Sequence, residues 1–219
     1  ELNRTEEAMG HALQQSMSAQ EHLWLAQELR EQGYVDEAYE IGMKGLNAPG
    51  KRYQLAKWIA ELAEAANRIN DAKRAWQITF EELPSLEHYQ TLKRLSDDEW
   101  HTVQEELLAH IRDTKRTNIL IEILIEENRI EEAIRLWDEE YQYGGYQLLE
   151  QLVDAAQETH PDWAIKKSLS QARSLINKAS KYYPRAVQWL KKVKTIYECH
   201  NREDEWLQCI ADIRTTHGR

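Results

Sequence analysis

The chain has little of what interrupts a helix. Among 219 residues there are eight Gly, four Pro and a single Phe, while Glu, Leu, Ala, Gln and Lys, which lose little on entering a helix, recur throughout. An all-α protein is expected. No stretch approaches eighteen uninterrupted apolar residues and no apolar N-terminal core follows a basic flank, so neither a membrane span nor a secretion signal is expected. The two cysteines, Cys199 and Cys209, are too few for a disulfide framework. A soluble protein of a reducing, cytoplasmic compartment with no membrane partner follows as the expectation. The chain opens on Glu1 within the helix-like run "ELNRTEEAMGHALQQ", which points to a fragment of a longer protein.

What is present is a recurring joint. "NRIEEA" at Asn128 to Ala133 has counterparts in "GYVDEA" at Gly33 to Ala38, "NRINDA" at Asn67 to Ala72 and the looser "NREDEW" at Asn201 to Trp206. Apolar residues at helical spacing flank each copy. Gly or Asn tolerates the left-handed backbone that ends a helix, and the acids that follow suit the positive end of the next one. Val35, Ile69 and Ile130 are expected to pack back on the helix they precede, while the small Ala38, Ala72 and Ala133 let two helices approach.

The copies also agree outside the joint. Trp24 and Trp58 each stand nine residues before it, and "AKRAW" ending at Trp76 matches "AIRLW" ending at Trp137. The first two joints are 34 residues apart and the next lies 61 further on, leaving room for a degenerate copy around Ser96 to Trp100. Periods in the low thirties signal stacked helical hairpins. The reading is a lead helix near residues 2–18, then pairs at about 21–48, 53–83, 86–112, 117–143, 146–179 and 184–216, punctuated by "NAPGK", "LPS", "YGGY", "HPD" and "YYP". One right-handed α-solenoid of about six hairpins plus an N-terminal helix is expected, a single repeat domain over 1–219.

"LAQELREQGYVDEAYEIGMKGL", with Leu25, Ala26, Gly33, Ala38 and "KGL", resembles a tetratricopeptide repeat, departing from it at Gly42 and Gly45. The run from Tyr183, through Ala186, Trp189, Leu190, Lys194, Tyr197, Arg202, Glu205, Trp206 and Ile210 to His217, resembles the helical C-terminal region of bacterial SWIM zinc-finger proteins. The resemblance extends through "WIAELAEAANRINDA" and "LIEILIEENRIEEA". It implies a parent protein with a Cys-x-Cys then Cys-x-His finger that binds zinc and contacts nucleic acid or proteins. No such motif occurs in these residues, so zinc is expected only in that finger and no cofactor here.

No catalytic signature emerges. Cys199, His200, Cys209 and His217 are close in sequence, but the cysteines are ten apart on two expected helices, unlike close zinc-binding pairs, and no metal site is assigned. Glu126-Glu127, Glu131-Glu132 and Asp138-Glu139-Glu140 read as solvated charges rather than tuned acid/base groups. "YGGY" lacks the Gly-Lys-Ser/Thr ending of a phosphate loop. The tryptophans at repeating positions read as packing between repeats. A non-enzymatic scaffold for protein–protein or intramolecular contact is expected, with a protein or peptide partner in a groove formed by the first helices of the pairs. Tyr53, Lys57, Glu61, Gln90, Arg94 and Glu122 are the candidate groove residues.

Charge supplies the alternative. The net charge is −10, yet Ala164 to Tyr197 holds nine basic residues and no acid: Lys166, Lys167, Arg173, Lys178, Lys181, Arg185, Lys191, Lys192 and Lys194. Set against the 19 basic and 38 acidic residues that remain, this segment stands out as a candidate patch for an anionic partner, RNA and DNA included. A solvated face pairing with acidic neighbours, and self-association of opposite charges, are the other readings of the same run.

Overall fold

A computed structural model of the chain describes residues 17–140 and 145–217. Regular structure among them is entirely helical. The helices are α1 (Ala19–Glu31), α2 (Val35–Gly45), α3 (Tyr53–Ala65), α4 (Ile69–Glu82), α5 (Leu86–Ser96), α6 (Trp100–Asp113), α7 (Thr117–Glu126), α8 (Ile130–Glu140), α9 (Tyr146–Ala156), α10 (Pro161–Lys178), α11 (Tyr183–Cys199) and α12 (Glu203–His217), with short 3-10 turns at Asp97–Glu99 and Ser180–Tyr182. They begin and end within a few residues of the spans expected from the joint spacing. The expected lead helix lies outside the described residues except at its last two positions. There Ser18 instead caps α1, accepting from the Glu21 amide while the Glu21 carboxylate accepts from the Ser18 amide at 2.7 Å. No described helix is long and apolar enough to cross a membrane.

The joints share one hydrogen-bond pattern. Gly33, Asn67, Asn128 and Asn201 all have positive φ, between 54° and 91°. Each donates its amide to the carbonyl three residues back, and the next residue donates to the carbonyl five residues back, as Arg68 does to Ala63 at 2.8 Å. This double closure satisfies two carbonyls that a helix end otherwise leaves open. Lys115 (φ 54°) and Arg116 repeat it between α6 and α7, at a place where the sequence pattern gives no joint. The copy expected around Ser96 to Trp100 is different, being a 3-10 turn with Asp97 at φ 38°.

The side chains at the joints divide. Ala38, Ala72 and Ala133 are fully buried, and Ile130 is nearly so, but Val35 and Ile69 are exposed, which corrects their expected packing role. Tyr34 and Arg68 make no side-chain cap. The acids Asp36, Asp71, Glu131 and Glu132 sit inside the first turn, where their charge complements the helix dipole.

The chain divides into two compact units, the first ending at Ile119 and the second beginning at Leu120. In the first, α3 packs against both α1 and α2, and α6 against both α5 and α4. Its core includes Leu23, Ala26, Leu29, Ile41, Leu55, Ile59, Phe80 and Tyr89. Burying each large aliphatic side chain contributes about 1.5–3 kcal/mol. In the second, α9 contacts α8 and α10, and α10 runs along α11, which carries α12. Leu152, Val153, Leu175, Trp189, Val193 and Ile196 form its interior.

Gly42 and Gly45 explain how closely the first helices approach. A Cβ on Gly42 would lie 2.3 Å from Ile59 Cδ1, and one on Gly45 would lie 2.5 Å from both His22 Cβ and Leu55 Cδ2. The departures from the tetratricopeptide pattern are therefore contacts, with α2 pressed between α1 and α3.

Candidate functional site

In the first unit, α1 and α3 each turn a stripe of mostly polar residues toward one groove. Gln20, Leu23 and Gln27 recur at helical spacing on α1, and Tyr53, Lys57 and Glu61 recur every fourth residue on α3. Together with Gln54 and Trp58 they line an open groove of about 420 Å³. Trp58 leans on the cluster of Ala26, Leu29, Ala38 and Ile41, with the Arg30 guanidinium carbon 5.8 Å from its ring. The groove thus has an apolar base of Leu23 and Trp58, flanked by amides, a phenol and one charge of each sign.

The other expected groove residues are placed differently. Gln90 is exposed on α5. Arg94 donates to Glu64 Oε2 at 2.6 Å, and Glu64 Oε1 accepts from Trp76 Nε1 at 2.6 Å, so Arg94 ties α5 to α3. His88 lies beneath: its ring is 6.0 Å from Tyr53 and 5.5 Å from Trp76, and its Nδ1 donates to the Leu83 carbonyl at 3.0 Å. Glu122 belongs to the second unit, half-buried on α7, where burial raises its carboxyl above the ordinary range.

Sequence reasoning missed the α1 side of the groove. The signal was present, because shifting by 34 residues maps Gln20, Leu23, Trp24 and Gln27 onto Gln54, Lys57, Trp58 and Glu61. The packing role expected of the tryptophans holds for Trp76 and Trp137, which are buried, but not for Trp24, which is 65% exposed. Trp58 finds α1 and α2 behind it, whereas no described pair precedes Trp24.

The nine basic residues, eight on α10 and α11 and Lys181 in the turn between them, do not form one face of free charge. Lys167 pairs with Asp138 at 2.6 Å, Lys192 with Glu150 at 3.3 Å and with Asp154, and Lys194 with Glu198 at 3.4 Å. Lys178, Lys181 and Arg185 contact tyrosines, and Lys166, Arg173 and Lys191 are exposed.

The last joint is also an electrostatic clasp. Arg202 donates from Nε and Nη2 to both Glu205 oxygens at 2.7 Å, and from Nη1 to Asp162 at 2.6 Å. Those bonds push its pKa up and hold the Glu205 carboxyl below the ordinary carboxylate range. Arg129 forks onto Glu132 in the same way, with both contacts at 2.6 Å. Around it, Asn128, Ile130, Glu131, Thr159 and His160 line a shallow recess. Its guanidinium is committed to Glu132, which makes the recess part of the joint.

Cys199 and Cys209 are free thiols, and burial raises the Cys209 pKa. Among the described residues no three His, Cys, Asp or Glu side chains converge as metal ligands. The His217 side chain lies outside the described set. Comparison with protein-family models, curated proteins and solved structures finds no match to this chain.

Proposed function

We propose that the chain is a non-enzymatic helical-repeat scaffold that holds a protein or peptide segment in the α1–α3 groove. The observation that carries this reading is the convergence of Tyr53, Lys57 and Glu61 with Gln20, Leu23, Gln27 and Trp58 on one open, amphipathic groove. Amides and charges of both signs read a backbone and set register, while Leu23 and Trp58 offer a place for an apolar anchor. The common closure of the joints and the packing of α3 on both α1 and α2 support a right-handed solenoid of about six tetratricopeptide-like hairpins. With the resemblance of the C-terminal run, the parent is read as a bacterial, cytoplasmic SWIM zinc-finger protein, zinc belonging to its finger.

The alternative, nucleic-acid contact by the whole segment 164–197, has less support, because Lys167, Lys192 and Lys194 are held by carboxylates.

Affinity capture with the 219-residue chain, beside the double variant Tyr53→Ala/Lys57→Glu, tests the groove. A protein captured by the first and lost with the second is the expected result. Equal capture by both, or none by either, removes the reading. The zinc-finger part is tested separately by the parent sequence, which must carry the Cys-x-Cys then Cys-x-His pattern.

A further inference from the structure

We propose that the turn between α10 and α11 is a binding surface for single-stranded nucleic acid, distinct from the α1–α3 groove. Three of the nine basic residues meet there and each faces a tyrosine. Lys178 Nζ donates to Tyr146 Oη at 2.8 Å and lies 5.6 Å from the ring centre, and the Arg185 guanidinium carbon lies 4.8 Å from the centre of the same ring. Lys181 Nζ lies 5.1 Å from the centre of the Tyr182 ring.

The nature of these partners matters. A carboxylate cancels a basic side chain, as Asp154 and Glu150 do for Lys192. A tyrosine ring orients the cation and leaves its charge in place. Lys178, Lys181 and Arg185 are exposed, with no ion pair among the described residues. They form a local positive field on a chain of net charge −10. Beside them Tyr183 is 51% exposed, a large aromatic surface that the fold leaves uncovered.

Exposed cations beside the uncovered Tyr183 ring suit a strand that offers phosphates and unstacked bases together. A duplex hides its base faces, and an acidic peptide engages the charges while leaving the rings unused. The combination therefore selects the single strand. Sequence preference is expected to be weak, because every base has a face to stack.

The test uses the 219-residue chain with fluorescein-labelled oligomers of deoxythymidine and of uridine, about twenty nucleotides long. A duplex of equal length and poly-glutamate serve as competitors. Both single strands are expected to bind at low salt. Neutralising about three phosphates gives a log–log salt slope near −2, so a fourfold rise in salt weakens binding by about 20-fold. Lys178→Glu/Arg185→Glu is expected to lose at least about tenfold by the same electrostatics. Tyr183→Ala is expected to lose roughly fivefold or more through stacking. Lys166→Glu/Arg173→Glu/Lys191→Glu, changed away from the turn, is expected to lose clearly less than the turn variant. Should the turn double variant lose helical circular dichroism, Tyr183→Ala decides. The proposal is overturned by absence of binding at low salt, by duplex or poly-glutamate binding as tightly as the single strands, by full affinity in Tyr183→Ala, or by equal losses in the turn and control variants.

Discussion

Gly42 and Ile59 stand so close that a single methyl group separates this packing from a clash: a Cβ at Gly42 would lie only 2.3 Å from Ile59 Cδ1 and 2.9 Å from Cγ1. Gly42→Ala gains helix propensity of about 1 kcal/mol, but overpacking a filled core costs about 1–3 kcal/mol. Gly45→Ala is the harsher change, because one contact is His22 Cβ, fixed next to its backbone, where Ile59 Cδ1 can rotate. Thermal melts are expected to rank wild type above Gly42→Ala above Gly45→Ala, with steps of about 2–4 °C per kcal/mol. A Gly45→Ala protein as stable as wild type would mean that α2 has room to withdraw.

Gly33 is the opposite case. Nothing lies within 4 Å of its Cβ direction, but φ is +91°. Its constraint is backbone conformation alone, and Asn already fills the equivalent position at 67, 128 and 201. Gly33→Asn is expected to stay within about 0.5 kcal/mol of wild type, whereas Gly33→Val, β-branched and strained there, costs about 1–2 kcal/mol. Urea midpoints of the two variants check this, and equal losses in both would rule out the conformational explanation.

These glycines show where the sequence was legible. Local chemistry that repeats was readable: Gly or Asn to end a helix, Ala at the close approach, acids in the following turn. Lys115 escaped because lysine has no preference for left-handed backbone, and its joint is fixed by hydrogen bonds that the Lys115 and Arg116 amides donate to the Arg112 and Ile111 carbonyls. Val35 and Ile69 were misplaced because joint spacing alone does not say which way a residue in the turn points. Gly42 and Gly45 read as lapses from a pattern, since their meaning lies in side chains of other helices, Ile59 and His22. The groove was half legible for the same reason: the stripe on α3 follows from its own periodicity, whereas its partner on α1 needed the repeat applied backwards.

Arg202 gives a test of the joints as clasps. It links the start of α12 to Asp162 in the first turn of α10, and its guanidinium carbon lies 5.3 Å from the centre of the Tyr197 ring. Exposed ion pairs contribute little globally, so the effect is expected to be local. In Arg202→Gln, amides of α12 should exchange roughly two- to fivefold faster while those of α3 keep their rates. No acceleration would show that packing of Ile213 and Trp206 alone holds the helix, and uniform acceleration that Arg202 supports the whole fold instead of this joint.

Tyr39 and Asp71 join α2 to α4 in a contact whose strength depends on pH. Tyr39 Oη donates to Asp71 Oδ2 at 2.7 Å, and the Arg68 guanidinium carbon lies 4.1 Å from the centre of its ring. Burial first, and the hydrogen bond to Asp71 second, push the phenol from its ordinary value of 10 up to about 12. A folded-state pKa raised in this way contributes stability that is complete below pH 10 and is lost as pH rises through about 12. Tyr39→Phe removes the hydrogen bond and is expected to cost about 1 kcal/mol near pH 8. It also removes the titration, so the urea midpoints of wild type and variant should draw together by about pH 11, lysine titration affecting both alike. A gap that holds constant or widens would show that the phenol keeps its ordinary pKa in the folded protein.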